Sequence, residues 1–354
     1  MSGKILLLSR YGRLGASSRL RTIQYLPGLM LKGFQVEVAP LFADRYIQRL
    51  YTGAVPFVEV LRSYSRRFSR LFKKKNFDVI WVEKEIWPWL PWLLDRAVSP
   101  GRKPVVVDYD DAVFHRYDLH PSPVVRALLG RKLDRFMARA DTVVAGNEYL
   151  HDRAAAAGNN RIEIVPTVVD LDRYPGPAPR AARPVVKIGW IGSPNTAKYL
   201  KIIAPVIERL AREYEIDCVA VGAREDQLVG TPIRAQPWQE EFEVDILSGF
   251  DIGIMPLEDT PWEQGKCGYK LIQYMACGMP VVASPVGVNK ELVVQGRNGF
   301  LAASDEHWYS ALRELIENAG LRNRMAREGR QRIELQYNLE RQLPRLISIF
   351  EQYC

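Results

Sequence analysis

The chain has 354 residues, 47% hydrophobic and 25% charged, with a formal net charge of +8, a size that suggests about two hydrophobic cores and a composition that excludes disordered and fibrous classes. No apolar run reaches the roughly 20 residues that span a bilayer, and the opening segment Met1–Gly12 has too short an apolar stretch for a signal peptide. Cys218, Cys267, Cys277 and Cys354 show no paired spacing and no histidine at ligand spacing, which points to a reducing cytoplasm and away from zinc.

Lys4–Ser9 predicts a buried strand. After it, Gly12 and Gly15 form a turn beside Ser17, Ser18, Arg19 and Arg21. The spacing is not the dinucleotide fingerprint, and a plain βα turn with surface arginines is one reading of it. Ser17–Leu31 has helical periodicity, closed by Gly33 before a strand at Phe34–Ala39. Arg62–Lys75 is basic without an acid, and Leu61, Phe68, Leu71 and Phe72 punctuate it at near-helical spacing. Such a helix suits an anionic membrane surface; a solvated helix face is the other reading. Nucleic acid is set aside because no binding motif accompanies the charge.

Strands follow at Asp78–Val82, Val105–Asp108, Thr142–Ala145 and Ile162–Pro166, with a helix at Pro123–Arg139. Glu83 and Glu85 sit at one strand end beside Trp87, Trp89 and Trp92, residues that stack on sugars, settle at membrane interfaces or fill a core. Asp110, Asp111 and His115 follow another. The alternation predicts a parallel sheet covered on both faces. Asp170–Pro184 then reads as a proline-rich linker.

The pattern restarts with a strand at Val185–Ile191, a helix at Leu200–Tyr214 and strands at Ile216–Val221 and Ile252–Pro256. Ser193, Asn195 and Thr196 are placed to cap a helix start after Gly192. The loop GKCG, Gly265–Gly268, enters a helix at Tyr269–Ala276 that Gly278 and Pro280 end before a strand at Val281–Ser284. Lys266 and Lys270 stand at that helix N-terminus, a setting that suits a phosphate. An ordinary loop–helix–strand unit would need the same glycines. Asp305–Cys354 is helical by pattern. Two α/β domains are expected; one large doubly wound domain is the alternative.

The segment Pro261–Ala302 resembles the donor half of the GT4-type retaining glycosyltransferases, which share the GT-B fold. Met275–Ser284, Gly287, Glu291, Gly296 and Gly299 match the family motif. Gln273 and Gly265 replace its two glutamates, with Glu263 nearby; Ser193 replaces an arginine, and Lys198 resembles a family lysine. The resemblance implies two Rossmann-like domains whose parallel sheets face across a cleft: 1–170 for the acceptor, a linker at 171–184, 185–335 for the donor, and a terminal helix, 336–354, crossing back to the first domain. It implies catalytic roles for His115, Asp110, Asp111, Lys198 and Lys270, and donor contacts from Gly15, Ser193, Lys266, Cys267, Gly268, Tyr269, Gln273 and Glu291. Asp108 and Asp110 match the Asp-x-Asp metal pattern of the other glycosyltransferase fold, but the resemblance puts them near acceptor and sugar, with no metal.

The expected reaction is retaining transfer of a sugar from a UDP- or GDP-linked donor, with no other cofactor. The acceptor is a hydroxyl on a lipid-linked or surface glycan, and the enzyme is cytoplasmic, touching the inner membrane face through residues 61–75. The altered motif also allows a catalytically impaired sugar-nucleotide binder or scaffold. A phosphorylase of the same fold would need a pyridoxal-type lysine motif, which the sequence lacks.

Overall fold

A computed structural model describes residues 3–52, 57–72, 76–98, 103–174, 176 and 183–354. They form two compact units. The first holds Met1–Thr167, Gly265–Cys267 and Leu339–Cys354; the second holds Val168–Gln264 and Gly268–Asn338. The division at Thr167/Val168 falls ahead of the expected linker, of which Pro175 and residues 177–182 lie outside the described residues.

In the first unit, β1 (Lys4–Leu8), β2 (Gln35–Val38), β3 (Val79–Glu83), β4 (Val105–Tyr109), β5 (Thr142–Ala145) and β6 (Ile162–Ile164) form one parallel sheet in the order β2-β1-β3-β4-β5-β6. Every residue of β3 and β4 is buried, as expected of strands covered on both faces. The terminal helix Leu339–Glu351 belongs to this unit, where the Phe350 ring meets Trp81 edge-on at 5.1 Å.

In the second unit, β7 (Val186–Ile191), β8 (Ile216–Val221), β9 (Ile233–Gln236), β10 (Ile252–Met255), β11 (Val281–Ala283) and β12 (Gly299–Leu301) form a parallel sheet in the order β12-β11-β10-β7-β8-β9. Both units are therefore Rossmann-like. Strand order reverses between β1 and β3 in one sheet and between β7 and β10 in the other. In open parallel sheets ligands bind outside the carboxyl ends of strands at such reversals. The loops after β1, β3, β7 and β10 are thus the places to look.

Several expected elements differ. Ser17–Leu31 is not one helix: it breaks into Ala16–Arg21, a tight turn at Ile23–Tyr25 and Leu26–Leu31, because Pro27 fits only a helix's first turn. Pro123–Arg139 likewise splits into Pro123–Leu129 and Lys132–Met137. The short edge strands β9 and β12 carry too little apolar periodicity to be read from sequence.

The first unit buries much charge. Arg21 forks onto Asp108 through Nε (2.8 Å) and Nη2 (3.0 Å), and Lys132 lies between Glu85 (3.0 Å) and Asp95 (3.3 Å). Burial pushes the Asp95 carboxyl up to about 7 against the pull of Lys132. The folded chain then binds an extra proton between the unfolded value of about 4 and pH 7, so this group's contribution to stability falls as pH rises across that window. Asp95→Asn should therefore stabilise the chain by about 2 kcal/mol at pH 8 and by almost nothing at pH 4. Urea unfolding at both pH values checks this; an equal effect at both would refute it.

Candidate functional site

Helix Tyr269–Ala276 begins at Gly268, whose φ of +65° is the left-handed conformation that glycine adopts without penalty. Gly253 lets the Tyr274 ring lie against β10, where a Cβ would strike it. The Tyr274 hydroxyl accepts from Ile191 N (2.9 Å) and donates to Ile254 O (3.3 Å). One side chain thus ties the helix to both strands of the reversal, placing its N-terminal N–H groups at their carboxyl ends.

Lys270 joins the two motifs that sequence separates. Its Nζ lies 4.3 Å from the centre of the Trp190 ring and 3.5 Å from Thr196 Oγ1, in the loop after β7. The α-helix that follows that loop begins at Leu200, where it was expected. Pro194–Tyr199 is a 3-10 turn, Ser193 makes no side-chain cap, and Thr196 Oγ1 donates to Ser193 O instead. The tighter turn leaves the Lys198 side chain 59% exposed, over the Tyr199 ring and 3.8 Å from Glu258. Lys270, not Lys198, is the cation brought to Thr196.

Gln273 lies on the buried face of helix Tyr269–Ala276. It is 2% exposed, and its amide nitrogen donates to Glu243 Oε1 (2.9 Å) and the Tyr174 hydroxyl (3.1 Å). Tyr269, one turn earlier, also bonds Tyr174. Glu291 is exposed, its backbone carbonyl taken by Arg332. Glu263 does not stand in for a missing glutamate: it is buried, accepting from Tyr199 and Thr260. Gly265 has its own physical cause, since a Cβ there would collide with Ala112.

The tripeptide Gly265–Cys267 groups with the first unit because Asn147 holds it. Asn147 caps helix Glu148–Ala156 through Oδ1, and its Nδ2 donates to Gly265 O (3.1 Å) and Lys266 O (3.0 Å). Its residue type was legible only as a helix cap. Cys267 is buried, and burial pushes its thiol up to about 12. Lys266 is half-buried, and its charge acts on Asp111.

At the β1/β3 reversal, sequence reasoning missed Lys84. It is buried at φ +64°, a strained conformation for a residue with a side chain. Its ammonium donates to Ser17 Oγ (2.7 Å) and pairs with Asp110 Oδ1 (2.9 Å), and Ser17 also bonds Asp110. Burial opposes ionisation of Asp110, but Lys84 and Arg21 overcome it and lower its pKa; for Asp111 burial wins over Lys266 and Lys84 and raises it. Asp108 and Asp110 of the Asp-x-Asp run are each already neutralised by a cation. Gly15 starts helix Ala16–Arg21, packed on Tyr11 too closely for a Cβ.

His115 has both ring nitrogens occupied, Nδ1 by Asp118 (2.8 Å) and Nε2 by the Tyr149 hydroxyl (2.7 Å). Burial would raise Asp118, but His115 and Arg153 lower it. Glu83 and Glu85 are not open to an acceptor. Glu83 accepts from Arg10 N and Ser18, and Glu85 from Tyr117 and Lys132. Trp87 and Trp92 are core; Trp89 is 47% exposed, its ring edge-on to Tyr117.

Comparison with known proteins gives this arrangement a family. A model described as "Glycosyl transferases group 1" matches residues 185–318, and one described as "Glycosyltransferase Family 4" matches residues 29–173. Between them they span most of the chain, which belongs to the GT4-type, group 1 glycosyltransferases and has their GT-B fold. Among solved structures it is similar to HepE of Anabaena in complex with UDP-glucose, at 14% identity over 99% of this chain and 100% of that one, with a TM-score of 0.73. Sucrose-phosphate synthase from Thermosynechococcus elongatus is similar at 13% identity over 99% and 98%, with a TM-score of 0.73. WaaG, a glycosyltransferase involved in lipopolysaccharide biosynthesis, is similar at 14% identity over 98% and 99%, with a TM-score of 0.70. At such identities the likeness is one of fold. No curated protein matches the sequence.

Proposed function

We propose that this glycosyltransferase moves a hexose-type sugar from a UDP- or GDP-linked donor to a hydroxyl acceptor, retaining anomeric configuration as its family does. The carrying observation is Lys270, which stands at a helix N-terminus over Trp190 and beside Thr196. As the glycosidic bond breaks, its electron pair leaves with the diphosphate. An ammonium and preorganised N–H groups stabilise that growing charge. HepE, solved with UDP-glucose, supports a uridine donor.

The first unit takes the acceptor in this reading, with Ser17, Lys84, Asp110 and Asp111 around the hydroxyl and His115 held ready by Asp118 and Tyr149. Calorimetric titration with UDP, GDP, ADP and TDP tests the donor half: one should bind in the micromolar range, and binding of none would overturn the proposal. The altered motif at Gly265 and Gln273 favours a second reading, a binder that does not turn over. Release of free diphosphate from a donor sugar in the presence of acceptor separates the two.

The acceptor in this proposal is lipid-linked, reached through helix Phe57–Phe72. None of the described helices is long and apolar enough to cross a membrane. On this one, Phe57 (78% exposed), Val58, Leu61 (58% exposed) and Phe68 are exposed alongside Arg62, Arg66 and Arg70. Arg67 is an exception to the basic face: it is buried, bonding Ser9 O and Ala39 O, and burial lowers its pKa to about 9. Lys73, Lys74 and Lys75 lie outside the described residues. Apolar side chains among arginines fit an anionic bilayer surface, each charge being worth about 1 kcal/mol there. Arg62→Glu with Arg66→Glu should weaken binding to phosphatidylserine vesicles at least about tenfold in a sedimentation assay. Unchanged binding would refute the membrane contact.

A further inference from the structure

Trp89 combines two features that cost a folded chain free energy. Of the eight tryptophans it alone is exposed, at 47%; the other seven are buried or half-buried. Its backbone is also left-handed, at φ +62°, which is uncommon for a residue with a side chain. A buried network keeps it there. The Tyr117 hydroxyl accepts from Trp89 N (3.0 Å) and donates to Glu85 (2.9 Å), which also accepts from Lys132 Nζ (3.0 Å). The indole is thereby held out toward solvent, edge-on to Tyr117 (5.3 Å) and His120 (5.9 Å).

The surface around it is apolar and cationic. His120 leads into helix Pro123–Leu129, where Arg126 bonds His120 O and Pro121 O. Leu119, Val124 and Leu128 on that side, and Leu93 and Leu94 just after Trp89, are exposed by between 46% and 69%. From Ile86 to Arg139 the exposed charged residues among those described are Arg126, Arg131, Arg135 and Arg139, with no acid. A second copy of this chain would set arginine against arginine, whereas an anionic lipid surface complements them. The loop also adjoins helix Phe57–Phe72. The Tyr64 hydroxyl donates to Pro88 O (2.6 Å), and its ring stacks on Trp87 at 5.6 Å.

We propose that Trp89, Leu119, Val124 and Leu128 form a second membrane contact, entering an anionic bilayer at headgroup depth. This rests on the reading above of a lipid-linked acceptor, and deepens it. Helix Phe57–Phe72 supplies charge, and this surface supplies insertion. An indole suits that depth because its ring is apolar while its N–H can still meet water or a headgroup. Val124 and Leu128, four residues apart, lie on one face of their helix and enter beside it.

Vesicles of phosphatidylserine and chain-brominated phosphatidylcholine test this on the full chain. They should quench part of the wild-type tryptophan fluorescence, and Trp89→Gly should lose that quenching at lipid concentrations where it is bound. Glycine takes a left-handed φ without penalty, so this variant should melt within a few degrees of wild type. Its binding in a sedimentation assay should be about 10- to 100-fold weaker, the worth of an exposed indole withdrawn from water. Val124→Ser with Leu128→Ser should weaken binding about tenfold and leave melting alone, since both side chains are exposed. Unchanged binding in either variant, or equal quenching with and without Trp89, would overturn the insertion while the lipid-linked reading stands. So would a wild-type dimer that Trp89→Gly converts to monomer with vesicle binding intact, since a second copy would then cover the patch. A wild-type chain that binds no such vesicle would overturn both.

Discussion

Lys270→Met should lower kcat about 100- to 1000-fold, the loss typical when one preorganised donor to a developing oxyanion is removed. Methionine keeps an apolar stem against Trp190 and removes the charge together with the bond to Thr196. Melting should shift by no more than a few degrees, since the ammonium is half-buried and its bond to Thr196 is long, at 3.5 Å. KM for the donor should change less than kcat, because the cation meets most charge when the diphosphate is leaving. Initial rates across donor concentrations decide this. A variant with kcat within threefold of wild type would mean that Lys270 is not the cation at the leaving group.

Asp108→Ala should be the most destabilising single change in the first unit, by about 3–5 kcal/mol, because it leaves the Arg21 guanidinium buried without its charge partner. Arg21 would keep Val165 O (2.7 Å) and Thr167 Oγ1 (3.3 Å), neither of which neutralises it. Replacing both members, Asp108→Leu with Arg21→Met, should recover most of the loss, since the cost lies in the unpaired charge rather than in the missing attraction. Urea midpoints for the three variants measure this. A double variant as unstable as Asp108→Ala would show that the pair itself, not the orphaned charge, holds β4 to the first helix.

Helix Tyr269–Ala276 was legible in the sequence residue for residue. Gly268 (φ +65°) and Gly278 (φ +67°) lie at its two ends, conformations that glycine supplies and few other residues do. Apart from the edge strands β9 and β12, the strands of both sheets were legible for a related reason: buried parallel strands read as unbroken apolar runs. What escaped notice depends on partners distant in the chain. The sequence gives no sign that the Gln273 amide nitrogen bonds Glu243 and Tyr174, 30 and 99 positions away. Gly265 looks like a lost glutamate until Ala112 shows that no side chain fits.

Lys84 escaped for another reason. A lysine after a strand carries no signal, and its left-handed backbone is set by the fold around it. That Lys270 rather than Lys198 meets Thr196 turns on a detail of local geometry. Pro194–Tyr199 winds three residues per turn rather than 3.6, which rotates the expected lysine away toward Glu258. Position 270 needed no such correction, because its helix is bounded at both ends by glycine.

Amide hydrogen exchange with and without the nucleoside diphosphate that binds tightest is the most direct measurement. If the first turn of the helix at 269–276 grips the diphosphate, exchange should slow at Tyr269, Lys270 and Leu271, and the slowing should be lost in Lys270→Met. Nucleotide bound at saturation with those amides unaffected, and protection falling elsewhere on the chain, would contradict it.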